Sequence, residues 1–302
     1  MIVVFGSINI DLVTRTERIP GPGETVLGGD YQLVPGGKGA NQALAARRAG
    51  AKSALVGAYG RDEFADAALA LLRADGVDLT ACRAVDARTG TAFIAVDPDG
   101  ENAIVLASGA NAMAQASQLE KLPLGPGDLL LLQREVPIGE VEAAAAYAKS
   151  RGAKVAFNAA PAGTVSRALI ASLDYLVVNE HEARLVGAAL GLDGDPEGIM
   201  LDLAERRKIA SVVTLGAAGA VGFCAGKAYR SLPPAVKVVD TTGAGDAFVG
   251  AFAAALDCGR DFGAALARGL AAGSLACTIA GAQPSFPRAE AIEFLAATVQ
   301  AA

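Results

Sequence analysis

A glycine-rich turn followed by an aspartate near the end of the chain has residue types that can bind an anion and accept a proton. Residues 240–246 read Asp-Thr-Thr-Gly-Ala-Gly-Asp, after a strand-like stretch at 236–239 and before a helical pattern. Gly243 and Gly245 leave backbone N–H groups unobstructed at a helix start, where the helix dipole favours negative charge. Asp246 can then take a hydroxyl proton while phosphoryl oxygens lie on the N–H groups, or it is only a favourable first-turn acid.

Polar and glycine-rich segments near the start of the chain indicate a second part of the same site. Residues 6–11 (Gly-Ser-Ile-Asn-Ile-Asp) follow the first predicted strand, and Asn9 and Asp11 alternate onto one face. A carboxamide and a carboxylate suit neighbouring sugar hydroxyls, although both residues are also common in turns. Residues 35–43 place three glycines around Lys38, which indicates either close approach of a ligand to the backbone or a flexible loop. A glycine follows this lysine, so the segment is not a Walker motif.

Two later motifs follow the ends of predicted strands. In residues 179–182 (Asn-Glu-His-Glu), Asn179 is placed to cap a helix. Glu182 either gives outer-shell support to Mg²⁺ or simply favours the helix start. Residues 214–219 (Thr-Leu-Gly-Ala-Ala-Gly) form a loop whose backbone can meet a nucleotide. No Gly-x-Gly-x-x-Gly pattern follows the first strand, which removes the main support for a dinucleotide-dependent dehydrogenase.

Composition narrows the class of protein. The 302 residues carry a net charge of −6 without a basic stripe, which argues against nucleic-acid binding. One histidine excludes multi-histidine metal sites, and four widely spaced cysteines show neither a disulfide framework nor zinc-binding spacing. The sequence has no apolar run of membrane-spanning length, and its start lacks the basic region of a signal peptide. We therefore expect a cytoplasmic protein that binds neither membrane nor nucleic acid.

The elements that must position these motifs alternate between apolar strands and helices. Strands are predicted at 2–5, 53–58, 128–132, 154–157, 174–178 and 211–215, and helices at 40–49, 62–74, 138–150 and from 180. Such alternation predicts an α/β fold with a mainly parallel sheet covered on both faces. Residues 269–282 are predicted to be a buried core helix. Segments 12–34 and 89–107 instead alternate like solvent-facing strands and are predicted to form a small flap or ordinary surface hairpins.

Together these motifs resemble the ribokinase family of carbohydrate kinases, also called the PfkB family. Its two signature regions match the glycine pair at 36–37 and residues 240–246. Further matching segments are 6–11, 22–25, 36–42, 109–111 and 281–285, so that the resemblance covers nearly the whole chain. It implies one α/β domain over 1–302, with three layers (α/β/α), a mainly parallel central sheet and a small β-sheet lid from 12–34 and 89–107. It also implies a homodimer joined through the lid.

The resemblance further implies an activity, which is transfer of the γ-phosphoryl group of ATP to the 5-hydroxyl of D-ribose, with Mg²⁺ and K⁺. It makes Asp246 the base, with an anion hole at Gly243, Ala244 and Gly245. The implied sugar ligands are Asn9, Asp11, Gly37, Lys38, Asn41, Glu135 and Asp246. The implied nucleotide ligands are Asn179, Thr214, Gly216, Gly219 and Gly245, with Glu182 in the outer shell of Mg²⁺. The implied K⁺ site is Asp240, Thr242, Gly281 and Ser285.

Some residues depart from the family pattern, and other activities stay open. Arg134 stands where an apolar residue is more common, Ala160 where proline is usual, and Leu270 where relatives often carry a polar residue. One alternative is a kinase of the same family for fructose, a ketodeoxy sugar acid or a nucleoside. Another is a noncatalytic sugar-binding protein on the same fold, which loss of Asp246 would mark.

Overall fold

Short apolar runs form most of the strands in the computed structural model, which describes residues 1–301. Within that range the strands are β1 (Ile2–Phe5), β2 (Asn9–Thr16), β3 (Gly28–Gly36), β4 (Ser53–Val56), β5 (Ala58–Gly60), β6 (Arg83–Val85), β7 (Gly90–Val96), β8 (Asn102–Ala107), β9 (Leu129–Leu132), β10 (Lys154–Asn158), β11 (Tyr175–Asn179), β12 (Ala210–Thr214), β13 (Ala220–Cys224), β14 (Lys227–Leu232) and β15 (Gln300–Ala301). The main sheet has the order β15-β14-β13-β12-β11-β10-β9-β1-β4. Pairing is parallel from β4 to β12 and antiparallel beyond it. The mainly parallel sheet is confirmed.

Helices cover both faces of this sheet. They are α1 (Lys38–Arg48), α2 (Ala65–Ala74), α3 (Ile138–Ser150), α4 (Arg167–Ala171), α5 (Glu180–Leu190), α6 (Pro196–Arg207), α7 (Ala244–Asp257), α8 (Phe262–Ala276) and α9 (Ala289–Ala296). Residues of α3 to α6 share one buried apolar cluster, and residues of α1, α2, α7, α8 and α9 share the other. The predicted three-layer α/β/α architecture is confirmed.

The alternation of side chains along the central strands explains why two cores form. In β1, Ile2 and Val4 belong to the core under α1 and α7, whereas Val3 and Phe5 belong to the core under α3 and α5. All four side chains are fully buried. Successive residues of a strand point to opposite faces, and full burial of an aliphatic or aromatic side chain stabilises by about 1.5–3 kcal/mol. An uninterrupted apolar strand therefore requires helices on both sides.

A separate four-stranded sheet has the order β3-β2-β7-β8. The β2–β7 pair is parallel, whereas β2–β3 and β7–β8 are antiparallel. The segments at 12–34 and 89–107 thus do form strands, and the small sheet also takes in Asn9 to Asp11. Only residues 6–8 connect β1 of the main sheet to β2 of the small one. This short connection places Asn9 and Asp11 where the two sheets meet.

Two predictions from sequence pattern are wrong in part. Residues 236–239 are irregular instead of a strand: Pro233 and Pro234 lack an N–H for pairing, and the N–H of Val239 donates to the Cys277 carbonyl at 2.8 Å. The apolar stretch at 269–282 is buried helix only as far as Ala276, after which the chain turns. Across residues 1–301, no helix combines the length and apolar character that a membrane crossing requires.

Candidate active site

The polar motifs converge at the carboxyl ends of the parallel strands. There β1, β9, β10, β11 and β12 end beside the N-termini of α1 and α7. A cavity of about 180 Å³ at this edge is lined by residues from all of these elements except β1 and β9: Lys38, Asn158, Ala160, Val177, Val178, Asn179, Glu182, Thr214, Gly243, Gly245, Asp246 and Val249. Open parallel sheets bind ligands at this edge, as expected from the motifs.

Asp246 lies in the first turn of α7 and is buried. Gly243 precedes the helix with φ of +77°, and a Cβ there would lie within 3 Å of Ala282 and Phe286, so the turn requires glycine. At Gly245 a Cβ would meet no atom within 4 Å, and the backbone is open toward the cavity. The Ala244 N–H donates to the Thr241 carbonyl at 3.1 Å, which leaves the first-turn N–H groups of residues 245 and 246 for an anion.

Lys38 begins α1 and lines the cavity together with Asp246. The negative charge of Asp246 is the largest cause that raises the pKa of Lys38, with further contributions from Glu135, Glu182 and Asp11, while burial opposes the rise. The lysine therefore stays protonated near neutral pH. Gly37, with φ of +88°, starts the helix and brings its backbone against Asn9, which a side chain would prevent. Gly37 is therefore required by close packing of the backbone, and the expected approach of a ligand to this loop stays a prediction.

Glu135 fastens the start of α1 to the end of β1. Its Oε2 accepts hydrogen bonds from the Ser7 hydroxyl at 2.6 Å and from the Lys38 backbone N–H at 2.9 Å. Gly39 packs so tightly that a Cβ there would lie 2.5 Å from backbone atoms of Gly6 and Ser7. One oxygen of Glu135 is thus engaged in structure, and the other remains for a ligand hydroxyl.

Asp11 is the most perturbed carboxyl group of the site. Burial, followed by the charges of Glu135 and Asp246, raises the pKa of Asp11 to about 7, and Lys38 opposes this rise. Its carboxylate lies over Gly36 on the paired strand, where a Cβ would be only 2.4 Å from Oδ2. The structure thus brings Asp11 into electrostatic reach of the other predicted sugar ligands.

Asn9 is held by Asn111, which lies in the matching segment 109–111 but was not among the predicted site residues. The Nδ2 of Asn111 donates to Asn9 Oδ1 at 2.6 Å, and Asn111 Oδ1 accepts the Ile8 N–H at 2.8 Å. Both asparagines are buried. Gly90 makes room for this pair, because a Cβ there would lie within 2.4 Å of both side chains. With its oxygen occupied, Asn9 presents an N–H donor to a ligand.

The residues expected beside the nucleotide separate into two groups. Asn179 and Glu182 form a capping box at the start of α5: Asn179 Oδ1 accepts the Glu182 N–H at 2.8 Å, and Glu182 Oε2 accepts the Asn179 N–H at 2.9 Å. Thr214 ends β12 and lines the cavity with them. Gly216 and Gly219 lie in the following turn and do not line it, and Gly219 packs against the Ser231 carbonyl.

The four residues expected at the cation site come from segments that do meet. Asp240 Oδ2 accepts the Gly281 N–H at 2.7 Å, and its Oδ1 accepts the Thr242 hydroxyl at 2.7 Å. The Ser285 hydroxyl donates to the Ala282 carbonyl at 2.7 Å and is buried. This arrangement abuts the turn at Gly243 through Ala282.

Sequence reasoning missed a buried amide chain around Asp246. Asn41 was expected there, and its Nδ2 donates to Asp246 Oδ2 at 2.9 Å. Gln42 donates to Asp246 Oδ1 at 2.9 Å and is linked to Gln133 and Asn158. The positions of Gln42 beside Asn41, and of Gln133 and Asn158 at strand ends, were the only sequence signals for this chain.

Arg134 and the segment around Ala160 depart from the family pattern in contact with each other. The Arg134 guanidinium donates to the Pro161 carbonyl at 2.7 Å, and its backbone N–H donates to the Ala160 carbonyl at 2.9 Å. Arg134 therefore holds the loop at Ala160 and Pro161, and Ala160 lines the cavity.

Comparisons with known proteins agree with this geometry. A family model described as "pfkB family carbohydrate kinase" matches residues 1–289. A ribokinase of Haemophilus influenzae is 38% identical over 299 residues, which cover 97% of this chain and 98% of the relative. A ribokinase of Bacillus subtilis is 38% identical over 303 residues, with 97% and 98% coverage.

Solved structures give the same result. The crystal structure of ribokinase from Thermotoga maritima superimposes with a TM-score of 0.89 at 35% identity, covering 97% of this chain and 98% of the other. Arabidopsis thaliana ribokinase, solved as a complex with ribose and ATP, gives a TM-score of 0.85 at 32% identity, with 98% of both chains covered. Similarity therefore extends across the whole fold, including both sheets.

Proposed function

The chain belongs to the pfkB family of carbohydrate kinases, and we propose that it transfers the γ-phosphoryl group of ATP to the 5-hydroxyl of D-ribose. One observation carries this proposal: a buried aspartate in the first turn of α7 and a lysine in the first turn of α1 line the same cavity, into which the first-turn N–H groups of α7 open. Curated ribokinases that match along nearly their full length, and the relative solved with ribose and ATP, support ribose as the acceptor.

In the proposed reaction, Asp246 accepts the proton of the sugar hydroxyl as that oxygen attacks the γ-phosphorus. The bond from the γ-phosphorus to the bridging oxygen of ADP breaks, and ADP takes up the leaving charge. The N–H groups at Gly245 and Asp246 would stabilise charge on the transferring group, with Lys38 among the proposed sugar ligands beside them. Phosphoryl transfer depends mainly on alignment and charge stabilisation, which these fixed groups supply.

The proposed sugar ligands surround Asp246 and Lys38 from the side of the small sheet. Asn9 offers an N–H donor, while Asp11 and Glu135 offer carboxylate oxygens. Ribose carries several neighbouring hydroxyls that both donate and accept, which such a mixed set can match. We propose that the four-stranded sheet forms the lid of one α/β domain over 1–302 and excludes water when sugar is bound.

We propose that Mg²⁺ binds with the nucleotide and is coordinated mainly by the phosphates of ATP. Among residues 1–301 there is no cluster of three or more His, Cys, Asp or Glu side chains able to hold a metal. Glu182 is buried, lines the cavity and has one carboxylate oxygen outside its capping box. Mg²⁺ keeps several waters and needs few protein oxygens, so Glu182 would act on those waters. When bound, the ion neutralises phosphate charge.

K⁺ fits the segment that Asp240 ties to Gly281. The oxygen donors of these segments suit an alkali cation, because a carboxylate, a threonine hydroxyl and backbone carbonyls are all hard ligands. Ala282 lies between Gly281 and Ser285 in the chain and packs against the Gly243 turn. This turn directly follows Asp240 and Thr242, so all four residues come together beside it. These residues would hold the ion beside the Gly243 turn, and its charge would stabilise the loop that positions the first-turn N–H groups.

The homodimer joined through the lid stays a proposal, supported by the exposed apolar face of the small sheet. The register places Leu33, Leu12, Phe93 and Val105 side by side across its four strands. Leu33, Phe93 and Val105 are 46%, 50% and 68% exposed. A contiguous apolar face of this kind suits burial against a second copy. The cytoplasmic location likewise stays a prediction.

An assay across acceptors tests the proposed activity. ADP release is coupled to a detection reaction with ribose, other pentoses, fructose, a ketodeoxy sugar acid and nucleosides, each at saturating ATP. We expect the highest kcat/KM with ribose, and phosphorus–carbon coupling in the NMR spectrum of the product should place the phosphate on C5. A higher kcat/KM with another acceptor would move the proposal to that substrate, and ATP consumption without any acceptor dependence would overturn it.

A further inference from the structure

A chain of buried side-chain amides reaches Asp246 from the interior of the protein. Gln42 Nε2 donates to Asp246 Oδ1 at 2.9 Å and also to Asn158 Oδ1 at 3.0 Å. Gln133 Nε2 donates to Gln42 Oε1 at 2.7 Å. Gln42 and Gln133 are fully inaccessible to solvent, and Asn158 is 8% exposed. Four segments that are far apart in sequence thus meet around Gln42, which alone of these three amides contacts the Asp246 carboxylate.

The orientations of Asn158 and Gln42 are fixed by groups that can only accept, whereas Gln133 Oε1 has no partner in the described structure. The Val177 carbonyl accepts from Asn158 Nδ2 at 3.1 Å, which turns Asn158 Oδ1 toward Gln42. Gln42 must therefore present its Nε2 on that side, where Asp246 also accepts it. The side-chain oxygen of Gln42, Oε1, then accepts a hydrogen bond from Gln133 Nε2. A flipped Gln42 would face acceptors with its oxygen, which costs about 1–3 kcal/mol per unpaired buried group.

Asn41 and Gln42 together engage both oxygens of Asp246. Asn41 Nδ2 lies 2.9 Å from Oδ2, while Gln42 Nε2 lies 2.9 Å from Oδ1. Asn41 is also a proposed sugar ligand, and its own Oδ1 has no partner within the described structure. Gln42 is inaccessible and cannot touch substrate. Its contact with the carboxylate therefore has to act through Asp246.

We propose that Gln42 is a positioning residue that fixes the orientation of the base Asp246, with Gln133 and Asn158 setting the direction in which Gln42 donates. This inference rests on the proposed kinase function. A carboxylate held through both oxygens keeps one defined position relative to the acceptor hydroxyl, so alignment is present before substrate binds. Gln42 adds no contact to sugar or ATP, and its effect falls on turnover.

Two substitutions of Gln42 distinguish the loss of its hydrogen bond to Asp246 from the addition of a second carboxyl group beside Asp246. Gln42→Met keeps the length of the side chain and removes its donor, and we expect kcat to fall about 10- to 100-fold with nearly unchanged KM for ribose and ATP. Gln42→Glu is isosteric and places a second carboxyl beside Asp246. We expect the acid limb of its kcat–pH profile to move upward by about one pH unit, because neighbouring carboxylates resist ionising together.

A matched control and a double variant complete the test. Gln118→Met removes another buried glutamine, whose Nε2 donates to the Gly57 and Ala81 carbonyls far from the base, so it should lower stability without changing kcat or the pH profile. In an Asp246→Asn background, Gln42→Met should cause little further loss, since both act through one group. Thermal unfolding checks that each variant is folded, and Gln42→Glu serves if Gln42→Met does not fold.

Different results would overturn the positioning role of Gln42 and the proposed kinase function. Wild-type kcat in folded Gln42→Met, or an unshifted acid limb in Gln42→Glu, would overturn the positioning role while kinase activity stands. A full additional loss from Gln42→Met in the Asp246→Asn background would also overturn it. Absence of sugar kinase activity in the wild-type protein would instead remove the proposed function itself.

Discussion

The Oδ2 atom of Asp240 accepts a hydrogen bond from the backbone N–H of Gly281 at 2.7 Å and ties two segments that lie 41 residues apart. Burial opposes ionisation of Asp240, but the hydrogen bonds from Gly281 and Thr242 outweigh it and hold the pKa of Asp240 below its ordinary value. A carboxylate fixed in its charged form beside Ala282 and the turn at Gly243 can transmit the state of this loop to the anion site.

The first prediction is that K⁺ raises kinase activity at fixed Mg²⁺, and that Na⁺ does so less well. The ion would fix the geometry of the loop beside Gly243 and would not touch the substrate. Activity measured in tetramethylammonium buffer, with K⁺ titrated in at constant ionic strength, checks this. Asp240→Asn should shift the midpoint to higher K⁺. A flat titration, with alkali-metal contamination excluded, would rule the activation out.

The second prediction concerns the base. Asp246→Asn keeps the size of the side chain but removes the proton acceptor and leaves one oxygen to accept from Asn41 or Gln42, so kcat should fall by at least about 10²-fold. Ribose affinity, measured by calorimetry, should change much less, since the other sugar ligands are intact. Turnover at the wild-type rate in folded Asp246→Asn would show that another group takes the proton.

The third prediction is that ribose binding releases a proton near neutral pH. The pKa of Asp11 is raised to about 7, mainly by burial, and sugar hydroxyls that donate to it would favour the carboxylate. Ribose affinity should therefore rise as the pH increases from about 6 to about 8. Calorimetry in buffers with different ionisation enthalpies measures the protons released, and Asp11→Asn should abolish both effects. Equal affinity of the wild type across this range would contradict the placement of Asp11.

The fourth prediction concerns the stability of the ligand-free protein, which also depends on the raised pKa of Asp11. Because folding raises the pKa of Asp11 from 3.8 to about 7, the native state binds this proton more tightly than the unfolded state. That carboxyl group therefore lowers the free energy of unfolding as pH rises between these values. Asp11→Asn removes the effect, and its Tm relative to wild type should increase from pH 5 to pH 8. A difference in Tm that does not vary with pH would count against a raised pKa of the half-buried Asp11.

The fifth prediction tests the close approach of α1 to β1. A Cβ on Gly39 would lie 2.5 Å from backbone atoms of Gly6 and Ser7, which cannot move independently of the sheet. Gly39→Ala should destabilise the fold by about 1–3 kcal/mol and displace Lys38, lowering kcat/KM. Gly139→Ala is the matched control, because Gly139 lies in α3 with no atom near its Cβ position, and alanine there should be neutral or stabilising. Equal stability of both variants in denaturant unfolding would refute this packing argument.

The sequence by itself determined the local chemistry and most of the elements of this protein. Apolar strands such as Ile2–Phe5, which the structure confirms, predicted a covered parallel sheet, because only burial on both faces suits such a run. The glycines around Lys38 and before Asp246 predicted backbone turns at helix starts, and both turns have positive φ. Glu180 as the first residue of α5 followed from the capping residue Asn179.

Only the tertiary structure decided which distant side chains meet. No local pattern links Gln42 to Gln133 and Asn158, or Asn111 to Asn9, since their contacts arise from the order in which the strands pair. The expected strand at 236–239 failed partly because two prolines precede it and partly because the Val239 N–H donates to the Cys277 carbonyl, a long-range contact that no local pattern predicts. Local rules fix periodicity and turn geometry within a few residues, whereas the long-range packing of the sheet fixes the amide chain behind Asp246.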